Sequence, residues 1–310
     1  MPTQANQPLP EGAALQKYRI DRVLATGGFS FVYLAHDENK KAVAIKEYLP
    51  STLPLRVNGA AQAQLPEDDL ARFRIGMKCF FDEAVVLARL SHPNVISVLD
   101  FFRANETVYL VMRHERGHSL HDRIKSHRGP LEELWVRNTF AQLLDDLREV
   151  HKNKLLHLDL KPANVYLRDD GTPLLIDFGA ARQILSAEGM KLPPTYTPGF
   201  APPEMHVHTR RDELGPWSDV YSVGATMYAC FASAAPPPAN VRLQRDQLVP
   251  ASRAFAGKYA ADLLEIVDWC LRLDHLRRPQ SVLALQKALL GEIREEMSGA
   301  PGPRPDHRPG

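Results

Sequence analysis

The stretch His157-Leu158-Asp159-Leu160-Lys161-Pro162-Ala163-Asn164, followed after a strand-turn interval by Asp177-Phe178-Gly179, decides how this chain is read. It brings two carboxylates, one lysine and one carboxamide into a short span. Such a set suits phosphoryl transfer, in which the protein mainly positions the reactants and neutralises developing charge. An unrelated protein would rarely carry both motifs in this order and at this separation.

Working outward, β-rich runs at 18–23, 31–34, 43–45, 96–99 and 108–112 predict a small antiparallel sheet, interrupted by one helical pattern near 80–90. Downstream, Val136, Phe140, Leu143, Leu144, Leu147 and Val150 recur at helical spacing and make one apolar face. A second such run covers Leu263, Leu264, Ile266, Val267, Cys270 and Leu271. The expected class is therefore α+β in two lobes: a β-rich lobe with one key helix over 13–113, then a hinge and a larger helical lobe over 114–297. The change of class near 113–117 marks the hinge, beside which a cleft would take a ligand. Residues 1–12 are polar and proline-rich, and 298–310 read SGAPGPRPDHRPG. Both compositions bury too little apolar surface to offset ordering entropy, so both ends are expected to be mobile tails.

The 310 residues are 44% hydrophobic, ordinary for a globular protein with a sizeable core. Lys and Arg number 38 against 37 Asp and Glu, with no long run of one sign, a balance that argues for neither nucleic-acid nor membrane-surface binding, and neither partner is expected. Cys79, Cys230 and Cys270 lie far apart without metal-ligand spacing, as expected of reduced thiols in a cytoplasmic protein. No basic-then-apolar leader opens the chain, and no run approaches the roughly 20 apolar residues of a membrane span.

Ala25-Thr26-Gly27-Gly28-Phe29-Ser30-Phe31-Val32 links two strand-like runs, and its small residues would let backbone amides approach phosphates. A plain hairpin turn would use the same glycines. Val43-Ala44-Ile45-Lys46 sets a lysine at the end of an apolar strand. There the ammonium either meets a phosphate or carboxylate or reaches back to water along its stem. Glu83, one turn before Leu87, shares the inward helical face and is preferred to Asp82 as its partner.

In their order, these motifs resemble the protein kinase family over roughly 15–290. The closer likeness is to bacterial-type serine/threonine kinases, a soluble group of which reads Ile-Lys-Glu-Tyr-Leu-Pro, as 45–50 does here. The resemblance implies that Asp159 orients the substrate hydroxyl and accepts its proton, and that Lys161 contacts the γ-phosphate of ATP. Asn164 and Asp177 would hold magnesium, with manganese an alternative. Lys46 would meet the α- and β-phosphates and pair with Glu83, while Ala25, Gly27, Gly28, Val32 and Ala44 line the nucleotide site. Met112 falls at the back of the adenine pocket and His114 in the hinge, whose backbone reads the base. Tyr166 aligns with the pocket floor, where it either stacks on adenine or packs in the core. The Lys-Pro pair after the catalytic aspartate points to serine or threonine acceptors on a protein substrate. Self-association would permit autophosphorylation, with Ser186, Thr195 and Thr197 as candidate acceptors.

The same likeness gives Thr197 a bond to Asp159 and Lys161, pairs Glu204 with Arg278, and sets Asp219 on the backbone of the catalytic loop. Three departures matter. Ala25 and Ser30 occupy two of the three glycine positions, and Leu158 replaces an arginine that pairs with a phosphorylated activation loop. Leucine makes no charge-assisted bond to phosphate, so activity is expected without loop phosphorylation. The segment 47–78 is longer than the family usually carries. Against transfer activity stands a pseudokinase scaffold or nucleotide-binding module, which those departures would fit. Retention of Lys46, Glu83, Asp159, Lys161, Asn164 and Asp177 favours transfer. The Thr197 to Glu204 platform and Asp219 speak against a small-molecule kinase.

Overall fold

Burial alternates along β3 (Ser30–His36), where Phe31, Tyr33 and Ala35 face inward and their neighbours do not. That period-two strand belongs to a sheet in the computed structural model, which describes residues 6–53, 56, 67–89, 92–127, 129–177, 196–206 and 213–291. The chain divides into two compact units, Met1–His118 with Tyr166–Pro193, and Ser119–Val165 with Pro194–Gly310.

In the first unit, β1 (Ala14–Leu15), β2 (Tyr18–Thr26), β3, β4 (Ala42–Tyr48), β5 (Val98–Ala104) and β6 (Thr107–Arg113) form an antiparallel sheet ordered β1-β2-β3-β4-β6-β5. β4 is central and buried at every position but its first, which is why it reads as a continuous apolar run around Lys46. Asn105 and Glu106 close the β5–β6 hairpin with φ of 49° and 59°, a two-residue turn whose twist matches the strands. The fifth strand begins at Val98 rather than 96. Ile96 instead donates its N–H to Leu175 of β9 (Pro173–Leu175), which also bridges Val95.

Helix α1 (Glu67–Arg89) is far longer than the pattern near 80–90 suggests. Its early turns pack on Tyr48 through Phe73 and Phe80, with ring centroids 5.4 and 5.8 Å away, and through Gly76, where a Cβ would collide with the Tyr48 hydroxyl. Charged residues between these contacts dilute the periodicity. Asn6 and Leu9, in the stretch whose composition reads as a tail, are buried.

The second unit is helical. Following β7 (Gly117–Ser119), α2 (Leu120–Ser126) starts with a reciprocal Ser119–Asp122 capping box. α3 (Glu133–Lys152) buries all six apolar positions its spacing marks. A 3₁₀ turn at Pro162–Asn164 leads back to the first unit, where β8 (Val165–Arg168) lies between β7 and β9 in a second, three-stranded sheet. Then come α4 (Pro203–His206), α5 (Pro216–Ala232), α6 (Ala239–Gln244), α7 (Ala251–Ala254), α8 (Ala261–Cys270), a 3₁₀ turn at His275–Arg277 and α9 (Val282–Leu289). α5 is apolar around its circumference and buried along most of its length, with Gly224 letting Cys270 of α8 approach. Arg137 ties α3 to α8 by bonding Glu133 and Asp262 at 2.8 and 2.9 Å. Among the described residues, no helix is long and apolar enough to cross a membrane.

Candidate active site

The sheet register of the first unit gathers the expected nucleotide-site residues on one face. Ala25, Val32, Lys46 and Leu110 lie opposite one another in successive strands, and Leu34, Ala44 and Met112 form the next row two residues along. Lys46 is 7% exposed; its ammonium donates to Asp177 Oδ1 at 2.9 Å and sits 5.4 Å from the Phe80 ring centre. A buried ammonium needs such a carboxylate, and the reading in which it merely reaches for water gives way. Glu83 lies on α1, but its side chain is outside the described residues, as are Phe178, Gly179, Ser186 and Thr195.

Gly27 and Gly28 occupy the β2–β3 connection, where Gly27 donates its N–H to Ser30 O at 2.8 Å. Neither takes a positive φ, and a Cβ on Gly28 would meet open space, so the turn itself does not demand glycine. The carbonyls of Gly28 and Phe29 accept the amides of Ser51 and Leu49 at 2.7 and 2.8 Å, which pins the loop to the chain leaving β4. Past Met112, His114 is half-buried, and burial together with Arg116 and Arg22 holds its pKa below the ordinary histidine value. Tyr166 donates to Glu115 O at 3.4 Å. Beside it, Arg168 grips the Glu115 carboxylate at 3.1 and 3.4 Å, Asn94 Oδ1 at 3.0 Å and Pro93 O at 2.7 Å.

In the second unit, Asp159 is the centre of a polar cluster. Lys161 Nζ donates to Asp159 Oδ2 at 2.6 Å and to Thr197 Oγ1 at 2.8 Å, and Thr197 Oγ1 donates to Asp159 Oδ1 at 3.0 Å. Asn164 Nδ2 donates to Asp159 O at 2.8 Å and Oδ2 at 3.0 Å. The loop is held from below by Asp219, whose carboxylate accepts the amides of His157 and Leu158 at 2.9 and 2.8 Å. Those bonds help fix Leu158 in a left-handed conformation, φ 58°, that a leucine seldom adopts. Burial alone would raise the Asp219 pKa. A 2.7 Å bond with His151, its charge, that of His157 and the His157 amide outweigh burial and lower it. Ser218 caps the start of α5 and donates to Glu204 at 2.7 Å, while Glu204 and Arg278 pair with both side chains fully buried.

Asn164 and Asp177 each have the chemistry that suits magnesium. The amide nitrogen of Asn164 is committed to Asp159, which turns its oxygen the other way, and Asp177 remains 42% exposed while bound to Lys46. Among the described residues no group of three or more His, Cys, Asp or Glu gathers as a cage. Each of the two residues offers a hard oxygen of the kind magnesium takes.

A profile of the protein kinase domain matches residues 18–290. The chain belongs to the protein kinase family. As a kinase domain it is 35% identical over 218 residues to mouse serine/threonine-protein kinase Nek3, a match covering 68% of this chain and 41% of that one. Serine/threonine-protein kinase B of Synechocystis is 34% identical over 221 residues, covering 68% and 36%. The chain thus spans less than half the length of these relatives. The solved structure of PpkA-294 in its apo form superposes with a TM-score of 0.80 at 30% identity, covering 91% of this chain and 99% of that one. The kinase domain of Mycobacterium tuberculosis PknI, solved as a single-residue mutant, shares the fold at 22% identity and TM-score 0.66 over 92% and 99%. The expected α+β, two-lobed kinase fold is the one found.

Sequence reasoning missed part of the kinase domain's polar framework. Glu47, next to Lys46, points to the opposite sheet face and is fully buried against Arg56, Tyr33 and Tyr109. A second charge inside so apolar a strand was the available signal. The grip of Arg168 on Glu115, Asn94 and Pro93 leaves no such mark, because those partners are 53 to 75 positions distant.

Proposed function

We propose that this domain is a serine/threonine protein kinase that moves the γ-phosphoryl group of ATP to hydroxyls of a protein substrate. The observation that carries the reading is the cluster at Asp159, where a lysine, a threonine and an asparagine converge on one carboxylate. Asp159 would accept the hydroxyl proton as the hydroxyl oxygen bonds to the γ-phosphorus and the bond to the β–γ bridging oxygen breaks, releasing ADP. Thr197 and Asn164 hold the carboxylate in a fixed rotamer, and Lys161 places a positive charge beside the transferred group. Lys46 would bind the α- and β-phosphates. Magnesium, held by Asn164 and Asp177, would neutralise phosphate charge.

The same reading includes activity without activation-loop phosphorylation. Leu158 is 2% exposed and offers no cation for a phosphorylated loop to grip. Action in the cytoplasm, where ATP is abundant, and self-association for autophosphorylation belong to this reading too. Serine and threonine as acceptors are supported by the relatives named above, both serine/threonine kinases by name.

The test is to incubate wild type and Asp159→Asn with Mg-ATP and a mixed protein substrate and to map phosphosites. Serine or threonine phosphorylation should fall about 10²- to 10⁴-fold in the variant, the usual worth of a general base. Equal signal from both proteins refutes the role given to Asp159, and absence of signal from wild type returns the domain to the scaffold reading. Wild type stripped of phosphate by a phosphatase should keep most of its rate, and loss of most activity would overturn loop independence.

A further inference from the structure

Behind the strand that carries Lys46 lies a polar knot that phosphoryl transfer leaves unexplained. Glu47 is fully buried, and each of its carboxylate oxygens accepts two hydrogen bonds. Oε1 accepts Arg56 Nη2 and the Tyr109 hydroxyl; Oε2 accepts Arg56 Nη1 at 3.0 Å and the Tyr33 hydroxyl at 2.6 Å. The register sets Phe31 and Tyr109 directly beside Glu47, so the knot occupies the sheet face opposite Lys46. Burial and the neighbouring carboxylate push both tyrosine hydroxyls well above their ordinary pKa, which keeps them neutral donors.

The knot reaches beyond the sheet. Asn6 Oδ1 accepts the Arg56 amide at 2.9 Å, and Asn6 Nδ2 donates to Pro50 O and Leu53 O at 3.0 and 2.9 Å. Gln7 donates its amide to Arg56 O at 3.1 Å and accepts Arg56 Nη1 on its carbonyl at 3.2 Å, and the Leu9 amide donates to the Tyr33 hydroxyl at 3.0 Å. Pro50 and Leu53 belong to the segment whose Leu49 and Ser51 amides hold the carbonyls of Phe29 and Gly28 in the glycine-rich loop. An unbroken line of bonds thus runs from residues 6–9, which precede the family match at 18–290, to the tip of the loop.

We propose that residues 6–9 are a strap that presets the glycine-rich loop for ATP, with Asn6 and Glu47 as positioning residues for phosphate binding. The inference rests on the kinase reading and deepens it by naming what orders the loop. A loop of small residues loses conformational freedom when it closes over phosphates. Anchoring Gly28 and Phe29 in advance removes part of that cost and appears as affinity rather than as chemical rate.

The experiment compares wild type, Asn6→Ala and a protein lacking residues 1–9. It measures KM for ATP, kcat, and the Kd of a fluorescent ATP analogue. Asn6→Ala removes a small side chain ahead of the family match, so folding is expected to survive, and circular dichroism checks it. KM and Kd should rise about tenfold, roughly the worth of one or two hydrogen bonds, with kcat kept within about twofold. Unchanged KM and Kd in Asn6→Ala and in the protein lacking residues 1–9 overturn the strap, whatever happens to the melting temperature, and so does a fall in kcat alone. Absence of transfer by wild type would refute the kinase reading, while the Kd comparison would still decide the strap.

Discussion

Replacing Glu204 by glutamine should destabilise this domain strongly. Arg278 Nη1 donates to Glu204 Oε1 at 2.8 Å and Nη2 to Oε2 at 3.1 Å, and neither side chain has measurable exposure. Glutamine keeps the shape but presents an N–H₂ where one oxygen accepted, leaving a buried guanidinium without a counter-charge. Breaking such a pair from one side costs about 3–5 kcal/mol. Arg278 retains Arg272 O, Leu273 O and Trp217 O at 2.7, 3.0 and 3.2 Å and rests 4.9 Å from the Tyr221 ring centre. Those contacts put the loss near the lower bound, about 3 kcal/mol. For a urea m-value of about 2–3 kcal/mol per M, the midpoint should drop by about 1–1.5 M with m unchanged. The double replacement Glu204→Leu with Arg278→Met should recover most of it, because the damage lies in the orphaned charge. A midpoint shift worth less than about 1 kcal/mol for the single variant would refute this account of the buried pair.

Gly76→Ala should lower the melting temperature. Its Cβ collides with a Tyr48 hydroxyl held between Phe73 and Phe80, an overpacking cost of about 1–3 kcal/mol that exceeds the roughly 1 kcal/mol gained in helix propensity. An unchanged melt would show that the ring yields. Thr197→Val removes the hydroxyl shared by Asp159 and Lys161, and kcat should fall about 10- to 100-fold with KM for ATP little altered. Thr197→Ser should restore most of the rate, and equal kcat in all three proteins would dismiss the hydroxyl. Asp219, with its pKa lowered in the fold, contributes stability that is present above its unfolded value of about 3.9 and lost as pH falls through the folded one. The urea midpoint gap between wild type and Asp219→Asn should therefore shrink as pH falls below about 4. A gap independent of pH down to about 3 would contradict that sign.

Much of the site was legible because its chemistry sits in short runs. Asp159, Lys161 and Asn164 fall within six positions, and their mutual bonds follow from one loop. Lys46 was legible as a charge in an apolar strand, and Asp177 as its structural partner only after the fold had brought residues 131 positions apart to 2.9 Å. The early half of α1 was missed because its packing residues are spaced by charges and a glycine, and the reason for that glycine is Tyr48, a residue in a strand.

The amino-acid sequence alone determined the class of fold and the helical faces of α3 and α8, and it marked the polar residues that bond one another around Asp159, since periodicity and local motif are properties of neighbours along the chain. Tertiary structure alone decided that Asn6 and Leu9 are buried rather than free, that Glu47 turns away from Lys46 into a four-donor knot, and that Leu158 is held in a strained conformation by a carboxylate 61 positions away. Burial of a charge is favourable only where several donors from distant segments converge. No local pattern records that convergence.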